Sequence, residues 1–291
     1  MENQIVQINS YSTENFNVPT HRLAFSEWNK NRKETLICLH SLIANSHDFD
    51  YLAEAVSNNF RVIAIDMPGR GDSDWFEDAS LYNYEIYIAE LLALLKMLSV
   101  SKFHLLGSSM GGIMGMILAS TYPTMIKSLI LNDIGPEIPG AALAKIRRYL
   151  AVKFPLSNLD VAKKHLQMVF KNFGIIGDDF WSHMVKHNTM LGDDGNLYMK
   201  YDVKIAQTFI VNMDNPEDVV FWDIWDKISC PTLLIHATDS DILLQKTVDK
   251  MNIRHNMSVY LMHDVGHAPA LFDKEEINYI DQWLQNITQK S

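Results

Sequence analysis

At 291 residues the chain exceeds the usual size of a single core, which suggests one large domain or a core carrying an insertion. Hydrophobic residues at 47% and charged residues at 21% form an ordinary globular balance, excluding a disordered or fibrous chain. The formal net charge of −10, with no basic stripe, argues against nucleic acid and against an anionic membrane surface, because both require clustered Lys and Arg.

The first residues, MENQIVQINSYSTENF, lack the basic start and apolar run of a secretory leader. No window approaches the roughly 18 apolar residues of a membrane span. The greasiest stretch, Ile86 to Leu98, is interrupted by Glu90 and Lys96 and reads as an amphipathic helix. Cys38 and Cys230 each accompany an apolar run, and two cysteines cannot form a disulfide framework, so both are expected as buried, reduced thiols. A cytoplasmic location fits these features best.

In chain order, segments near Ile5–Ile8 and His21–Trp28 read as an antiparallel hairpin. Continuous apolar runs follow at Thr35–His40 (TLICLH), Arg61–Asp66, Phe103–Gly107, Lys127–Leu131, Thr232–Ile235 and Val259–Met262. Such runs suit strands covered on both faces. Helical patterns lie between or after them, around Asp48–Val56, Tyr84–Ser99, Met110–Thr121 and Lys274–Ile287. Pro123 closes the third, since it lacks a donor and fixes φ. Alternating strands and helices predict an α/β fold with a mostly parallel sheet.

This rhythm stops between about Gly135 and Pro216, where AALAKIRRYLAV, LDVAKKHLQMVF and DDFWSHMVKHNTM are helical patterns without a convincing strand. The stretch is too long for a structureless loop. It is read as a helical cap at 136–216, inserted between core segments 1–135 and 217–291.

The strongest local signal is Gly107-Ser108-Ser109-Met110-Gly111, a G-x-S-x-G pattern placed after the strand run FHLL and before a helix. A serine on so tight a strand-to-helix turn has its hydroxyl lifted clear of the backbone. Small neighbours are needed because a Cβ would clash. Ser109 is therefore the candidate nucleophile, and the following helix presents its positive end to the attacked carbonyl.

A serine hydroxyl needs an adjacent base. His267, in Asp264-Val-Gly-His-Ala-Pro269, sits on a loop after the last strand and is the best candidate. His104 lies inside a strand; His165, His183 and His187 fall in the inserted helices; His255 and His263 lack a glycine turn. An acid must orient the imidazole. Asp241, at the end of Pro231-TLLIHATDSD, is preferred, with Asp239 and Asp133 as alternatives; the bland role of Asp133 is a hydrogen bond at the hinge into the insertion. The order Ser…Asp…His is that of α/β-hydrolases. Two fixed donors are needed for an oxyanion: the N–H of Met110, and the N–H of Leu42 in the turn His40-Ser41-Leu42.

With these motifs the sequence resembles the α/β-hydrolase fold family, in its capped, esterase-like branch. The resemblance runs through the His40 turn, Asp66-Met-Pro-Gly-Arg-Gly-Asp-Ser73, GSSMGG, Asn132-Asp-Ile-Gly-Pro-Glu137, DSDILL and VGHAPAL. It implies a structural turn at Asp66–Ser73 and a catalytic acid at Asp241. Ser41 and Ala237 stand where glycine is usual in the family.

The expected function is carboxylic-ester hydrolysis through an acyl-enzyme on Ser109, with a small or medium ester as partner and a homodimer left open. His40, Ser41, Phe180, Trp181, Met184 and Trp222 are candidate substrate contacts; Trp225 is another aromatic candidate, and the aromatic and Met residues equally suit a core. The alternatives are a carbon–carbon bond hydrolase, a lactonase or an acyltransferase of the same fold, and a non-catalytic ligand binder. With no H-E-x-x-H, no Cys–His spacing and no phosphate-binding glycine loop, neither a metal nor a nucleotide cofactor is expected.

Overall fold

The computed structural model describes residues 1–174, 177–208, 216–253 and 257–290. An eight-stranded sheet forms the centre. Its strands are β1 (Glu2–Ile8), β2 (His21–Trp28), β3 (Thr35–Leu39), β4 (Arg61–Asp66), β5 (Phe103–Ser108), β6 (Ile126–Asn132), β7 (Thr232–Ala237) and β8 (Met257–Met262). Their spatial order is β1-β2-β4-β3-β5-β6-β7-β8. The expected hairpin is present: β1 pairs antiparallel with β2, and β2 antiparallel with β4, while all later pairs are parallel.

Alternate residues of one strand feed two cores. Ile37 and Leu39 join the larger cluster, whereas Leu36 and Cys38 join the one under the C-terminal helix. This period-two division between two covered faces is why the strand reads as an unbroken apolar run. Helices α1 (Asp50–Val56), α2 (Tyr84–Met97) and α3 (Met110–Thr121) connect the first strands. The predicted start of α1 at Asp48 is instead a 3-10 turn, Ser46–Phe49, whose N-cap Asn45 side chain accepts from the His47 amide.

The chain order reverses between β3 and β5, so their C-terminal ends flank the crevice in which doubly wound sheets bind ligands. α3 packs closely there. A Cβ on Gly111 would lie 2.1 Å from the Leu39 carbonyl oxygen of β3. Gly111→Ala should push the helix off the sheet and lower stability by about 1–3 kcal/mol, measured by denaturant unfolding; unchanged stability would reject the close approach.

Between β6 and β7 the chain leaves the sheet and returns through a short antiparallel pair, Glu137–Ile138 with Val219–Val220. The excursion carries α4 (Gly140–Leu150), α5 (Leu159–Val169) and α6 (Asp178–Asn188), as the helical patterns imply. The absence of strands is corrected: Thr189–Leu191 pairs with Leu197–Met199 around a turn at Gly192–Gly195. Strands of three residues are too short to show a period. α5 and α6 hold a separate small core of Leu166, Phe170, Phe180, Trp181 and Met184. Two last helices, α7 (Gln245–Met251) and α8 (Lys274–Lys290), complete the fold, α8 laying Ile277, Ile280 and Leu284 on the second face of the sheet.

Cys38 is buried and its thiol is pushed far up by burial, but Cys230 is only half-buried, which corrects the expectation for that residue. Among the described residues no helix is long and apolar enough to cross a membrane.

Candidate active site

Ser109 is the last residue before α3 and adopts φ 49° and ψ −110°, a left-handed conformation rare outside glycine. The surrounding turn over-determines it: the Ser109 amide donates to Asn132 O, and its carbonyl accepts from Gly112 and Ile113. The hydroxyl is thereby aimed out of the sheet toward His267, whose Nε2 lies 2.8 Å from Ser109 Oγ.

The other imidazole nitrogen, His267 Nδ1, lies 2.9 Å from Asp133 Oδ2. Asp241 takes no part in this chain; its Oδ2 accepts from Lys145 Nζ at 2.7 Å, an exposed pair between the segment after β7 and α4. The preference for Asp241 is thus corrected, and Asp133, one of the two alternatives, is the partner of His267. Sheet register supplies the reason. Ser108 pairs with Asn132, so Ser109 and Asp133 leave the C-terminal ends of adjacent strands side by side. Asp241 lies four residues past the end of β7, one strand further away. Asp239 also fails to reach the imidazole; its amide donates to Val265 O.

Asp133 is fully buried, and each oxygen is occupied. Oδ1 accepts from the Ala237 amide at 2.9 Å, with His236 Nδ1 at 3.5 Å, while Oδ2 receives His267 and, at 3.4 Å, the Ala268 amide. Burial alone would raise this carboxyl, but the His236 and His267 imidazoles more than offset it and bring it down to about 2.

Leu42 and Met110 line one large cavity together with Ser109 and His267. Ser41 lines it too, but His40 is fully buried beneath and is not a substrate contact. Burial, followed by the charge of Arg70, brings the His40 imidazole down to about 3, so it is neutral. Its Nδ1 donates to Ser41 O at 2.6 Å and its Nε2 accepts from the Met67 amide at 3.0 Å. It therefore braces the Ser41–Leu42 turn against the Asp66–Ser73 segment. That segment is itself a closed turn, with Asp66 accepting from the Ser46 and Asp72 amides.

Arg70 was not singled out from the sequence. Its guanidinium is fully buried under the cavity without a carboxylate partner among the described residues. Nε donates to Leu42 O at 2.9 Å, Nη1 to Pro68 O and Tyr87 Oη, and Nη2 lies 3.5 Å from Met110 Sδ. The only sequence hint was its place between two turn glycines.

The cavity measures about 1050 Å³ and is mostly apolar, with Tyr84, Ile113, Ile146, Leu150 and Phe170 among its walls. This is the upper end of small-molecule sites. Lys145 and Asp241 stand on its polar side. The aromatic candidates are elsewhere. Phe180 and Met184 border a separate cavity of about 20 Å³, and Trp181 belongs to the α5–α6 core. Trp222 lies beneath Lys250 Nζ, and Trp225 is buried in the main core. Among the other histidines His255 falls outside the described residues.

Residues 34–274 match the family described as alpha/beta hydrolase fold. The chain belongs to that family. It is 31% identical to a 3-hydroxybutyrate-oligomer hydrolase of Cupriavidus necator, over 91% of this chain and 93% of that one. An esterase of Mycobacterium tuberculosis is 26% identical over 80% of this chain and 76% of its own. A solved structure from Rickettsia typhi, described as a putative hydrolase, superposes with a TM-score of 0.93 at 36% identity, covering 98% of this chain and 99% of the other.

Proposed function

We propose that the protein is a serine hydrolase that cleaves carboxylic esters, with Ser109 as nucleophile, His267 as general base and Asp133 as the orienting acid. The observation that carries this is the unbroken chain Ser109 Oγ–His267 Nε2 and His267 Nδ1–Asp133 Oδ2, at 2.8 and 2.9 Å. His267 accepts the Ser109 proton as Oγ attacks the ester carbonyl, and then delivers it to the departing alcohol. Asp133 holds the ring with Nδ1 protonated, leaving Nε2 as the acceptor. Water activated by the same imidazole releases the acid from the acyl-enzyme.

The backbone N–H groups of Met110 and Leu42 are the assigned oxyanion donors. Arg70 positions both: it holds the Leu42 carbonyl and touches Met110 Sδ, and its buried charge adds positive potential beneath the developing anion. Arg70→Met is expected to lower kcat about 10-fold or more with little change in KM, since a transition-state interaction is lost. Arg70→Lys should not restore it, because a lysine lacks the fork that reaches both residues. Full kcat in either variant removes Arg70 from this role.

The large apolar cavity supports a medium-sized acyl substrate, and the Cupriavidus relative makes short oligomeric esters of hydroxy acids the first class to test. A panel of p-nitrophenyl esters, hydroxybutyrate oligomers and lactones, run with and without a fluorophosphonate, is the deciding assay. Ester turnover abolished by labelling supports the reading. Labelling without turnover of any ester would redirect it to carbon–carbon hydrolysis or acyl transfer.

A further inference from the structure

A second cluster of chemistry-bearing side chains lies where the excursion meets the core, outside the catalytic cavity. His47 belongs to the 3-10 turn after β3, Asp50 opens α1, and His187 comes from the last turn of α6. One ligating atom of each can be chosen so that all three lie within 4.8 Å of one another. His47 Nδ1 is 3.0 Å from Asp50 Oδ2, and the His47 and His187 rings are 3.8 Å apart at their centroids. One turn earlier on α6, His183 Nε2 lies 3.6 Å from Asp50 Oδ2.

The site is built rather than exposed. The side chains of His47 and Asp50 are only 6% and 17% exposed. Asp50 Oδ1 is buried with no hydrogen-bond partner. An orphaned carboxylate oxygen beside three imidazoles leaves an acceptor that needs a cation or donor. Surrounding contacts fix the ligands: Asn45 Nδ2 donates to His187 O at 3.0 Å, and His183 Nε2 lies 3.1 Å from His47 O. These bonds end on main-chain carbonyls, so they hold α6 beside the 3-10 turn and keep the backbones that carry His47 and His187 in place.

We propose that His47, Asp50 and His187 bind a divalent transition-metal ion, zinc by the character of the donors, and that the ion fastens α6 to the core. Two imidazoles and a carboxylate are a borderline-soft N/O set suited to zinc rather than to calcium or magnesium. Bonds of about 2.0–2.1 Å place tetrahedral ligand atoms roughly 3.4 Å apart, so binding breaks the 3.0 Å His47–Asp50 hydrogen bond and re-spaces ligand atoms that now lie within 4.8 Å of one another. His183, whose Nε2 is held by His47 O, is not one of the three ligands, and water completes the coordination. The ion takes no part in ester cleavage. It restrains α6, whose last residue Asn188 also contacts Asn45, three residues beyond Leu42 in the same loop.

The test uses full-length protein freed of metal by a chelator, titrated with Zn²⁺ by calorimetry and with Co²⁺ by visible absorption. One equivalent should bind, with a rise in thermal midpoint, and ester hydrolysis should persist in the metal-free protein. His187→Ala and Asp50→Asn should each weaken binding by about 10-fold or more. Should a variant fail to fold, carbethoxylation of wild-type histidines decides: Zn²⁺ must protect His47 and His187 while leaving the exposed His263 reactive. No saturable binding, binding undiminished in both folded variants, or unprotected His47 and His187 overturns the proposal. None of these outcomes touches the Ser109 assignment, because that site is assayed without metal.

Discussion

Asp133→Asn should lower kcat by about 10⁴-fold while Asp241→Asn leaves it nearly unchanged. The amide at 133 would still fill the space between β6 and His267, but it cannot hold the ring in the tautomer that leaves Nε2 free for Ser109, nor balance the imidazolium. Both carboxylate oxygens of Asp133 are occupied, so an NH₂ group there faces either the Ala237 amide or the His267 N–H. Among the described residues, the Asp241 carboxylate pairs with Lys145 on an exposed rim of the cavity, and removing such a pair costs less than about 1 kcal/mol of stability. Steady-state kinetics on the two variants separates the assignments, and a large loss in Asp241→Asn with none in Asp133→Asn would reverse them.

The same carboxyl carries a pH signature. Its value falls from an ordinary 3.8 to about 2 on folding, so it contributes stability that is fully present above about pH 4 and is lost as pH drops through about 2. Acid unfolding of wild type should steepen across that window, and Asp133→Asn should flatten it. An unaltered slope in the variant would show that Asp133 is not the group responsible.

Ser109→Ala should abolish turnover, with a loss of about 10⁵-fold or more, and with it all fluorophosphonate labelling. The fold should survive. The hydroxyl's partner is His267, whereas the turn is held by the backbone bonds of residues 109, 112, 113 and 132. Circular dichroism and thermal unfolding check the second half of this expectation. Persistent labelling would point to Ser108, whose Oγ instead accepts from Asn132 Nδ2 at 2.7 Å and whose side chain is directed into the sheet end.

The mechanism thus depends on which acid reaches His267, and there the chain alone misleads. Asp133 and Asp241 both follow strands, both lie between Ser109 and His267 in order, and both are flanked by turn-forming residues. Family resemblance favoured Asp241. Only the pairing of Ser108 with Asn132 shows which strand end adjoins Ser109. The substrate walls show the same limit. Phe180, Trp181 and Met184 are apolar and sit in the excursion, as pocket residues would, yet they face the α5–α6 core. Helical period tells which residues share a face, not what that face meets.

Local chemistry was sufficient for much else. Continuous apolar runs declared the parallel strands, although the last of them, β8, is only half-buried at the sheet edge; Pro123 closed α3, and Gly107 and Gly111 marked a turn whose flanks have no room for a Cβ. These are properties of a few consecutive residues, set by backbone sterics and by burial on one or both faces. The tertiary structure decided what depends on distant segments meeting: Asp133 against His267, Arg70 beneath Leu42 and Met110, and His47 with Asp50 beside His187. No spacing along the chain encodes such meetings, because strand order and the packing of α6 on the core bring together residues from 28 to 134 or more positions apart.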